Sequence, residues 1–299
     1  MKIRIPATTA NLGSGYDTFG MALGYYNYIE AVPAESFLFE IKGQGMRHLP
    51  QDKDNLVMRS AQAVYDLTGS GSPRLRLSLY SNIPVSRGMG SSSAAIVGGI
   101  FAANETLGRP LDQMAMLELA TEIEGHPDNV APALLGGFTM VAQKERLYVQ
   151  RILLPERLKV VLAVPNFPVS TKKARAILPE QVLLADAVYN ISHAALLAVA
   201  LAKGNLAQFG AMLSDKLHQP YRFQLIKGAS EVVAAANAAG ALGCVLSGSG
   251  STMIAFVEGD KVEQQKVGQA MANAFAAQDI QARIIKTGLD NRGTRVRLG

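Results

Sequence analysis

A glycine- and serine-rich turn joins a strand pattern directly to an apolar helix pattern in the first half of the chain. Residues 74–80 alternate between polar and apolar types, as in a half-buried strand, and the run 94–103 is apolar throughout. Between them lies Ser86-Arg-Gly-Met-Gly-Ser-Ser-Ser93, whose glycines let the backbone adopt positive φ and approach a ligand closely. Its serines fall in the first helical turn, where free N–H groups favour an anion. The turn predicts either a phosphate-binding loop or an ordinary glycine turn with a serine cap.

The turn is not a Walker loop, because no Lys-Ser or Lys-Thr follows its glycines. If it binds phosphate, the charge must be met by backbone N–H groups, serine hydroxyls and a metal ion. The sequence therefore predicts a phosphate site that carries no lysine of its own.

Two further windows are also punctuated by glycine. The segment 6–20 follows the first predicted strand and contains Asn11 and Asp17, and the segment 243–254 joins two predicted strands through Ser-Gly-Ser-Gly-Ser. Taken alone, Asn and Asp in a loop are typical turn formers, and the second window is typical of a hairpin loop.

The distribution of strand and helix patterns predicts an α+β chain in two parts. A length of 299 residues with 48% hydrophobic and 18% charged side chains excludes a disordered chain and allows one large or two moderate domains. The first half mixes helices with hairpin-like strand pairs, and the second places helices on a small antiparallel sheet. Pro165-Asn-Phe-Pro168 predicts the boundary, giving domains 1–164 and 165–299.

Composition also limits the cellular environment in which the protein works and the classes of partner that it can bind. One cysteine, Cys244, excludes an internal disulfide and a thiolate metal cluster, so we expect a reducing, cytoplasmic environment. The apolar runs 94–103 and 194–202 are shorter than the roughly 20 residues of a membrane span, so we expect no membrane. Of the net charge of +5, most lies in residues 281–299, which hold five basic residues against one acidic. No aromatic side chains are interleaved there, so we expect no nucleic acid.

Four ordered motifs together resemble the GHMP kinases, the superfamily named for galactokinase, homoserine kinase, mevalonate kinase and phosphomevalonate kinase. The match is to the homoserine-phosphorylating branch, whose N-terminal motif is met in full at Pro6 to Asp17. The phosphate-loop motif is met at Pro84 to Ala94, Glu-Gly-His-Pro-Asp-Asn-Val-Ala-Pro at Glu124 to Pro132, and the C-terminal glycine loop at Gly248 to Thr252. Each motif is weak alone, and their order makes the set specific.

The resemblance implies a fold and an activity. The N-terminal domain would be like domain 2 of ribosomal protein S5, and the C-terminal domain would be ferredoxin-like. The chain would transfer the γ-phosphoryl group of ATP, with Mg²⁺, to the side-chain hydroxyl of L-homoserine on the way to threonine. Two alternatives remain: a family kinase for another small carboxylate-bearing alcohol, and a catalytically silent nucleotide-binding regulator. Kinases of this kind often dimerise, which leaves a homodimer open.

The resemblance also implies which residues bind MgATP. Asn55 would lie beside adenine, although it is also a natural helix N-cap. Ser92 and Glu118 would hold Mg²⁺; without the family, Glu118 would be taken as a solvated helix charge. The remaining residues expected around ATP are Pro84, Ser86, Arg87, Gly88, Met89, Gly90, Ser91, Ser93, Gly248 and Gly250.

For the acceptor, the resemblance implies a carboxylate held by Arg175 and Arg222, since arginine binds carboxylates through a two-pronged fork. Taken alone, both arginines would pass as surface charges. The other residues expected around the acceptor are Asn11, Asp17, His126 and Asp128, with Asp128, Asn129 and Asn11 as the catalytic set. His126 could equally be a helix-cap residue.

The motifs do not identify which residue, if any, acts as the general base. Mevalonate kinase relatives pair an aspartate with a lysine from the first motif, but this chain has Thr8 and Thr9 there and no lysine. We therefore expect catalysis to depend on placing the hydroxyl in line with the γ-phosphate, with Asp128 or Asn129 orienting it.

Overall fold

The chain forms two sheets and ten helices in a computed structural model that describes residues 1–43 and 49–297. The strands are β1 (Lys2–Ala10), β2 (Phe19–Pro33), β3 (Leu38–Gly43), β4 (Leu75–Ser81), β5 (Phe138–Gln143), β6 (Leu147–Ile152), β7 (Leu158–Pro165), β8 (Gly243–Leu246), β9 (Met253–Glu258), β10 (Ala282–Thr287) and β11 (Arg295–Val296). The helices are α1 (Leu56–Thr68), α2 (Ser91–Thr106), α3 (Gln113–Glu124), α4 (Pro127–Leu135), α5 (Thr171–Ala176), α6 (Leu184–Ala202), α7 (Leu206–Ala211), α8 (Gln219–Arg222), α9 (Ala229–Ala238) and α10 (Lys261–Ala276).

The first sheet has the order β11-β1-β2-β4-β3, and β5 and β6 extend it from β2. Only the β3–β4 pair is parallel among its described pairs, which agrees with hairpin-like connections rather than βαβ units. Helices α2 and α4 pack on β1, and α1 packs on α2. Gly99 permits that last contact, because a Cβ there would lie 2.4 Å from the carbonyl oxygen of Val57.

The second sheet has the antiparallel order β10-β7-β9-β8, as the sequence patterns predict. Along β7, Val160 and Leu162 face the main core, which includes residues from β1 and β2. Val161 and Ala163 face a second cluster under α9 and α10. This alternation follows from the two-residue period of a strand and buries both faces of the sheet.

The predicted domain boundary falls at the end of a strand of the second sheet. The sequence places the boundary between 164 and 165, and β7 (Leu158–Pro165) belongs to the second sheet. The C-terminal part of the chain also comes back to the first sheet, because β11 pairs with β1 there. The Arg4 guanidinium lies 2.7 Å from the Asp290 carboxylate, which helps to fix this return. A pattern of strands cannot say which sheet a strand joins.

Helix α6 contains the apolar run 194–202 as its second half. It begins ten residues earlier, at Leu184, and its first half includes Asp186 and Asn190. By length and composition alone, it is long and apolar enough to cross a membrane, and about a fifth of it is buried. Its inner edge nevertheless packs on the protein, where Leu197 and Leu201 are buried against α7.

Candidate active site

A cavity of about 340 Å³ lies between the two sheets and receives the predicted loops from both. Its wall contains the loop after β1, the turn before α2, the start of α4, helices α5 and α8, and the loop after β8. The predicted site residues found in this wall are Asn11, Asp17, Asn55, Ser86, Arg87, Gly88, Met89, Gly90, Ser91, Ser92, Ser93, His126, Asp128, Asn129, Arg175, Arg222 and Gly248. Three predicted residues are not in it: Pro84, Glu118 and Gly250.

The glycines of the turn before α2 are required by close backbone packing. Gly90 is the N-cap of α2 with φ of 67°, and a Cβ there would lie 1.9 Å from Thr8 Oγ1. Gly88 has φ of 72°, and its Cβ would lie 2.0 Å from the Ser247 carbonyl oxygen. Ser247 Oγ also donates to the Gly88 carbonyl at 2.6 Å. The turn is therefore held between β1 and the loop after β8, with the first N–H groups of α2 at the cavity.

Arg87 does not carry its charge to the phosphate position. Its guanidinium donates to the carbonyls of Pro165 at 3.1 Å, Asn166 at 3.2 Å and Val85 at 3.2 Å. These bonds fix the turn to the end of β7. Backbone and hydroxyl groups remain as the anion-binding part of the turn, as expected for a loop without a Walker lysine.

A carboxylate faces the serines of the turn, and it is not the one the sequence favoured. Ser92 Oγ and Ser93 Oγ donate to the two oxygens of Glu124, each at 2.8 Å. Glu118 is exposed on the same helix, so the prediction that it faces the site is wrong. A separation of six residues turns a helix by about 240°, so the two carboxylates lie on different faces. Glu124 begins the Glu-Gly-His segment, a signal that could have identified it.

Asn55 caps a helix at the edge of the cavity, and its place beside adenine stays a prediction. It is the N-cap of α1, where its side-chain oxygen accepts from Val57 N at 2.9 Å, and it also lines the cavity. Its amide group donates to the Pro50 carbonyl at 2.7 Å. The residue thus fixes the entry of α1 beside the turn before α2.

On the other side of the cavity, Arg175 and Asp17 form a two-pronged ion pair. Arg175 Nη1 and Nη2 donate to the two carboxylate oxygens of Asp17 at 2.8 and 2.9 Å. Asp17 has φ of 52°, a conformation supported by a bond from its N–H to Asn11 Oδ1 at 3.0 Å. Asn11 in turn donates to the Gly248 carbonyl at 3.1 Å. The first motif is therefore tied to the second sheet.

Arg222 reaches the same region from within the protein. It is 2% exposed, and Nε donates to the Ala174 carbonyl at 3.1 Å. Its Nη1 lies 3.3 Å from the Gly248 carbonyl and 3.4 Å from His218 Nδ1. Burial lowers the pKa of the Arg222 guanidinium. A buried cation with so few acceptors is suited to receive an anionic ligand.

His218 lies behind Arg222, outside the cavity wall, and the sequence did not single it out. It is fully buried, and its Nε2 lies 2.9 Å from the Gly13 carbonyl. Because a guanidinium can only donate, Nδ1 of His218 accepts from Arg222, which leaves Nε2 to donate to the Gly13 carbonyl. Burial lowers the pKa of His218, in the same direction as this neutral tautomer. His218 lies four residues before Arg222, a spacing that places both side chains on one side of a helical turn. This spacing is the signal in the sequence that could have identified His218.

A third group of polar side chains links the start of α4 to β1. His126 Nδ1 donates to Asp128 Oδ1 at 2.6 Å, and the same oxygen accepts from Asn129 Nδ2 at 3.3 Å. Asn129 Oδ1 accepts from Thr8 Oγ1 at 2.7 Å. The hydrogen bond to Asp128 raises the pKa of His126. Thr8, in the first motif that has no lysine, thus contacts Asn129 through its hydroxyl.

An anion-binding turn, a carboxylate beside it and a pocket with two arginines define a small-molecule phosphotransferase. Two family models match the chain: "GHMP kinases N terminal domain" over residues 55–137 and "GHMP kinases C terminal" over residues 197–277. The chain therefore belongs to the GHMP kinase family, an α+β family of kinases that use ATP, which confirms the resemblance drawn from the four motifs.

Within that family, two relatives that match over nearly their full length are homoserine kinases. Homoserine kinase of Moorella thermoacetica is 46% identical over 295 residues, which cover 98% of this chain and 99% of the relative. Homoserine kinase of Desulfitobacterium hafniense is 44% identical over 297 residues, covering 99% of each. The crystal structure of homoserine kinase from Cytophaga hutchinsonii matches with a TM-score of 0.92 and 31% identity, covering 99% of this chain and 97% of that one.

Proposed function

We propose that the chain transfers the γ-phosphoryl group of ATP to the side-chain hydroxyl of L-homoserine, forming O-phospho-L-homoserine for threonine biosynthesis in the cytoplasm. The observation that carries the proposal is the placement of Asp17, Arg175 and Arg222 in one cavity with the anion-binding turn. An amino acid presents one ammonium and one carboxylate, which these groups match. The names of the full-length relatives support the same acceptor.

The nucleotide side is built for phosphate. The first N–H groups of α2 and the hydroxyls of Ser91 to Ser93 would receive the phosphates of ATP, since a helix N-terminus favours negative charge. Asn55 would lie towards the adenine end. These roles require the turn to keep its present shape, which Gly88 and Gly90 allow.

The groups beside the turn fit a Mg²⁺ ion. Mg²⁺ takes oxygen ligands and is commonly bound by one or two carboxylates together with substrate phosphates. Glu124 and Ser92 provide such oxygens 2.8 Å apart. No group of three or more His, Cys, Asp or Glu side chains suited to a metal occurs in the described ranges 1–43 and 49–297. A metal bound here would neutralise charge on the transferred phosphoryl group.

The acceptor side positions the hydroxyl. Arg222 and Arg175 would bind the acceptor carboxylate and Asp17 its ammonium group. Asp128 and Asn129, held by His126 and Thr8, would orient the hydroxyl towards the γ-phosphate. Phosphoryl transfer depends mainly on such positioning and on charge stabilisation, so no strongly tuned base is required.

The test is turnover by the purified chain with MgATP and a panel of acceptors, read as ADP release. We expect homoserine to be the preferred acceptor over threonine, shikimate and mevalonate. Turnover of another alcohol without turnover of homoserine would identify a family kinase of different specificity. Binding of ATP without turnover of any acceptor would identify a silent regulator.

The positioning role of Asp128 has its own test. Asp128→Asn keeps the shape of the side chain and its ability to accept a hydrogen bond. We therefore expect the variant to retain measurable turnover, with a weaker orientation of the acceptor. Complete loss of activity with unchanged homoserine binding would show that Asp128 is an essential base.

A further inference from the structure

A second cavity, of about 370 Å³, lies near the start of β1, whereas the active-site cavity follows the end of that strand. Its wall is formed by Arg4 and Tyr26 of the first sheet, the linker into β7 and residues 288–295. Among the described residues, none lines both cavities. Its volume falls within the roughly 300–1,000 Å³ of small-molecule pockets. The cavity is therefore a separate place with room for a small ligand.

The wall of this second cavity is basic. Two acidic residues line it, Glu156 and Asp290, against four cationic residues from three segments of the chain: Arg4, Lys159, Arg292 and Arg295. Two of these cations belong to the basic C-terminal segment 281–299. The active site does not use that segment, so its charge needs another explanation.

Asp290 cannot neutralise all four cations, because its carboxylate is already engaged. Its Oδ2 accepts from Arg4 Nη2 at 2.7 Å and from the Tyr26 hydroxyl at 2.9 Å. Its Oδ1 accepts from the backbone N–H groups of Arg292 at 2.6 Å and Gly293 at 2.7 Å. The residue is 4% exposed, so it acts as a structural anchor for Arg4 and for the turn into β11.

The other three cations have no acidic partner. Within residues 1–43 and 49–297, the side chains of Lys159, Arg292 and Arg295 form no hydrogen bond or ion pair. Glu156 is exposed and pairs with none of them. Three positive charges around one concave surface attract an anion.

Strand β11 also places two arginines opposite each other. Arg295 is the register partner of Arg4, and opposite positions on neighbouring strands put both side chains on one face of the sheet. Like charges in this arrangement destabilise a sheet. Burial and the neighbouring Arg4 both lower the pKa of the Arg295 guanidinium. Local choices that oppose stability are expected where a side chain serves a ligand.

We propose that the second cavity is an anion site that binds a phosphate group, either as inorganic phosphate or as part of a small organic phosphate, through Arg292 and Arg295 with Arg4 and Lys159 beside them. The cations come from three segments, so the ligand has to accept hydrogen bonds from several directions. A tetrahedral phosphate does this, whereas a planar carboxylate is matched by a single arginine fork.

Two of the groups are held in place for this role. The Arg4 guanidinium carbon lies 4.1 Å from the centroid of the Tyr26 ring, and its Nη2 is fixed by Asp290. Lys159 Nζ lies beside Gly288, 3.9 Å from where a Cβ on that glycine would stand. A site that is held in place before binding loses less entropy when the ligand enters.

A bound phosphate would join the two sheets. Arg4 and Arg295 belong to the first sheet and Lys159 to β7 of the second. Asn291 already links the same regions, since it exchanges two hydrogen bonds of 2.8 Å with the backbone of Leu154. A ligand that binds only the folded chain stabilises it by mass action, so phosphate should raise the unfolding temperature. The inference uses no active-site residue and does not depend on the proposed activity.

The first experiment measures the binding of inorganic phosphate by calorimetry against chloride at matched ionic strength. A non-hydrolysable ATP analogue with Mg²⁺ is present throughout, to fill the turn before α2. Arg295→Met removes a cation of the second cavity, and Arg297→Met is the matched control, since Arg297 is exposed two residues further on and outside the wall. We expect the native chain and Arg297→Met to bind alike and Arg295→Met to bind about tenfold or more weakly, the loss of one hydrogen bond to a charged group.

Two results would overturn the proposal. One is equal phosphate binding by all three proteins. The other is no saturable binding by the native chain at about 10 mM phosphate, well above a millimolar Kd.

The second experiment, thermal unfolding with and without phosphate, separates a ligand site from a structural role. Arg295→Met relieves the opposition to Arg4, so in chloride it should unfold at the native temperature or above. Phosphate should raise the unfolding temperature of the native chain and of Arg297→Met, with little gain for Arg295→Met. Both variants should keep the native turnover rate, because neither residue lines the active-site cavity. An equal loss of stability by Arg295→Met in chloride and in phosphate would refute the site.

A third measurement identifies the source of the phosphate group. Inorganic phosphate, glycerol 3-phosphate and succinate are compared at one ionic strength. Tighter binding of glycerol 3-phosphate would support the site as one for an organic phosphate, and tighter binding of inorganic phosphate would support it as one for the free ion. Tightest binding of succinate would contradict the assignment to phosphate.

Discussion

The two sides of the cavity are built in different ways. The nucleotide side is built around one stretch of chain, the turn before α2, whose useful groups are backbone N–H groups and hydroxyls, with Asn55 and Glu124 beside it. The acceptor side is assembled from four separate segments whose charged side chains already pair with each other, as in Asp17–Arg175 and His126–Asp128. One side is a continuous backbone cradle and the other is a network of side chains.

This difference predicts how substitutions will act. A change on the nucleotide side should alter charge stabilisation, and so kcat and the requirement for metal. A change on the acceptor side should alter chiefly the KM for the acceptor, because each residue there contributes part of a binding site. Substitutions on each side of the cavity test that division.

The largest effect is expected for Glu124→Gln. Loss of the carboxylate beside Ser92 should lower kcat by about 10²- to 10³-fold, as for removal of one electrostatic contact to a transition state, and should raise the Mg²⁺ concentration needed for half-maximal rate. Steady-state kinetics over a Mg²⁺ series measures both. Glu118→Gln is the matched control and should stay at the native rate. Equal losses in the two variants would return the metal role to Glu118.

Arg222→Met should raise the KM for homoserine by about 10²-fold, the cost of leaving a buried charged partner unpaired, with little change in the KM for ATP. Arg175→Met, which removes a half-exposed side chain, should have a smaller effect in the same direction. Thermal unfolding of each variant checks that the chain still folds. A rise in the ATP KM instead would contradict the division of the cavity.

His218 should act through Arg222, as a positioning residue. His218→Leu should raise the acceptor KM by about tenfold, because Arg222 loses an acceptor worth roughly 1–2 kcal/mol, while kcat and the ATP KM stay near native. His218→Gln can still hydrogen-bond and should recover part of the loss. If both variants lose activity equally in kcat and KM, His218 is only structural.

The smallest effect is a change of stability with pH at His126. Its folded pKa is raised above 6.5 by the bond to Asp128, so this bond stabilises the fold fully below pH 6.5 and the stabilisation is lost as pH rises through the raised pKa. His126→Gln should therefore lower the free energy of unfolding by about 1 kcal/mol in acid and by less in alkali. Urea unfolding at both pH values measures this difference. A constant difference would show that the histidine proton is not involved.

The same contrast explains which parts of the site the sequence predicted. Residues of one continuous motif, such as Gly88, Gly90 and Ser92, line the same cavity because their geometry is local. Glu118 was placed wrongly because helical phase, set by where α3 ends at Gly125, decides which carboxylate faces the turn. His218 and Thr8 were missed because their roles depend on contacts between distant segments, which no local pattern contains.

The fold shows the same limit. The strand and helix patterns predicted the α+β class and nearly every element, since periodicity and capping are local properties. They did not predict that β7 joins the second sheet or that β11 returns to β1, because pairing is decided by burial over the whole chain. They also missed the outer face of α6, since a run of apolar residues does not say which side is covered.

The Asp17–Arg175 pair has a consequence for selectivity. Since these two charges pair with each other, a ligand that enters between them has to supply both a cation and an anion. A zwitterion can exchange partners with both members, whereas a hydroxy acid leaves Asp17 without a cation and a simple alcohol leaves both charges stranded. The net charge of the pocket is the same whether Asp17 and Arg175 pair with each other or with a zwitterionic acceptor. The affinity for the acceptor should therefore depend only weakly on ionic strength. The pocket would therefore discriminate between acceptors first by the charges that they carry and only then by their shape.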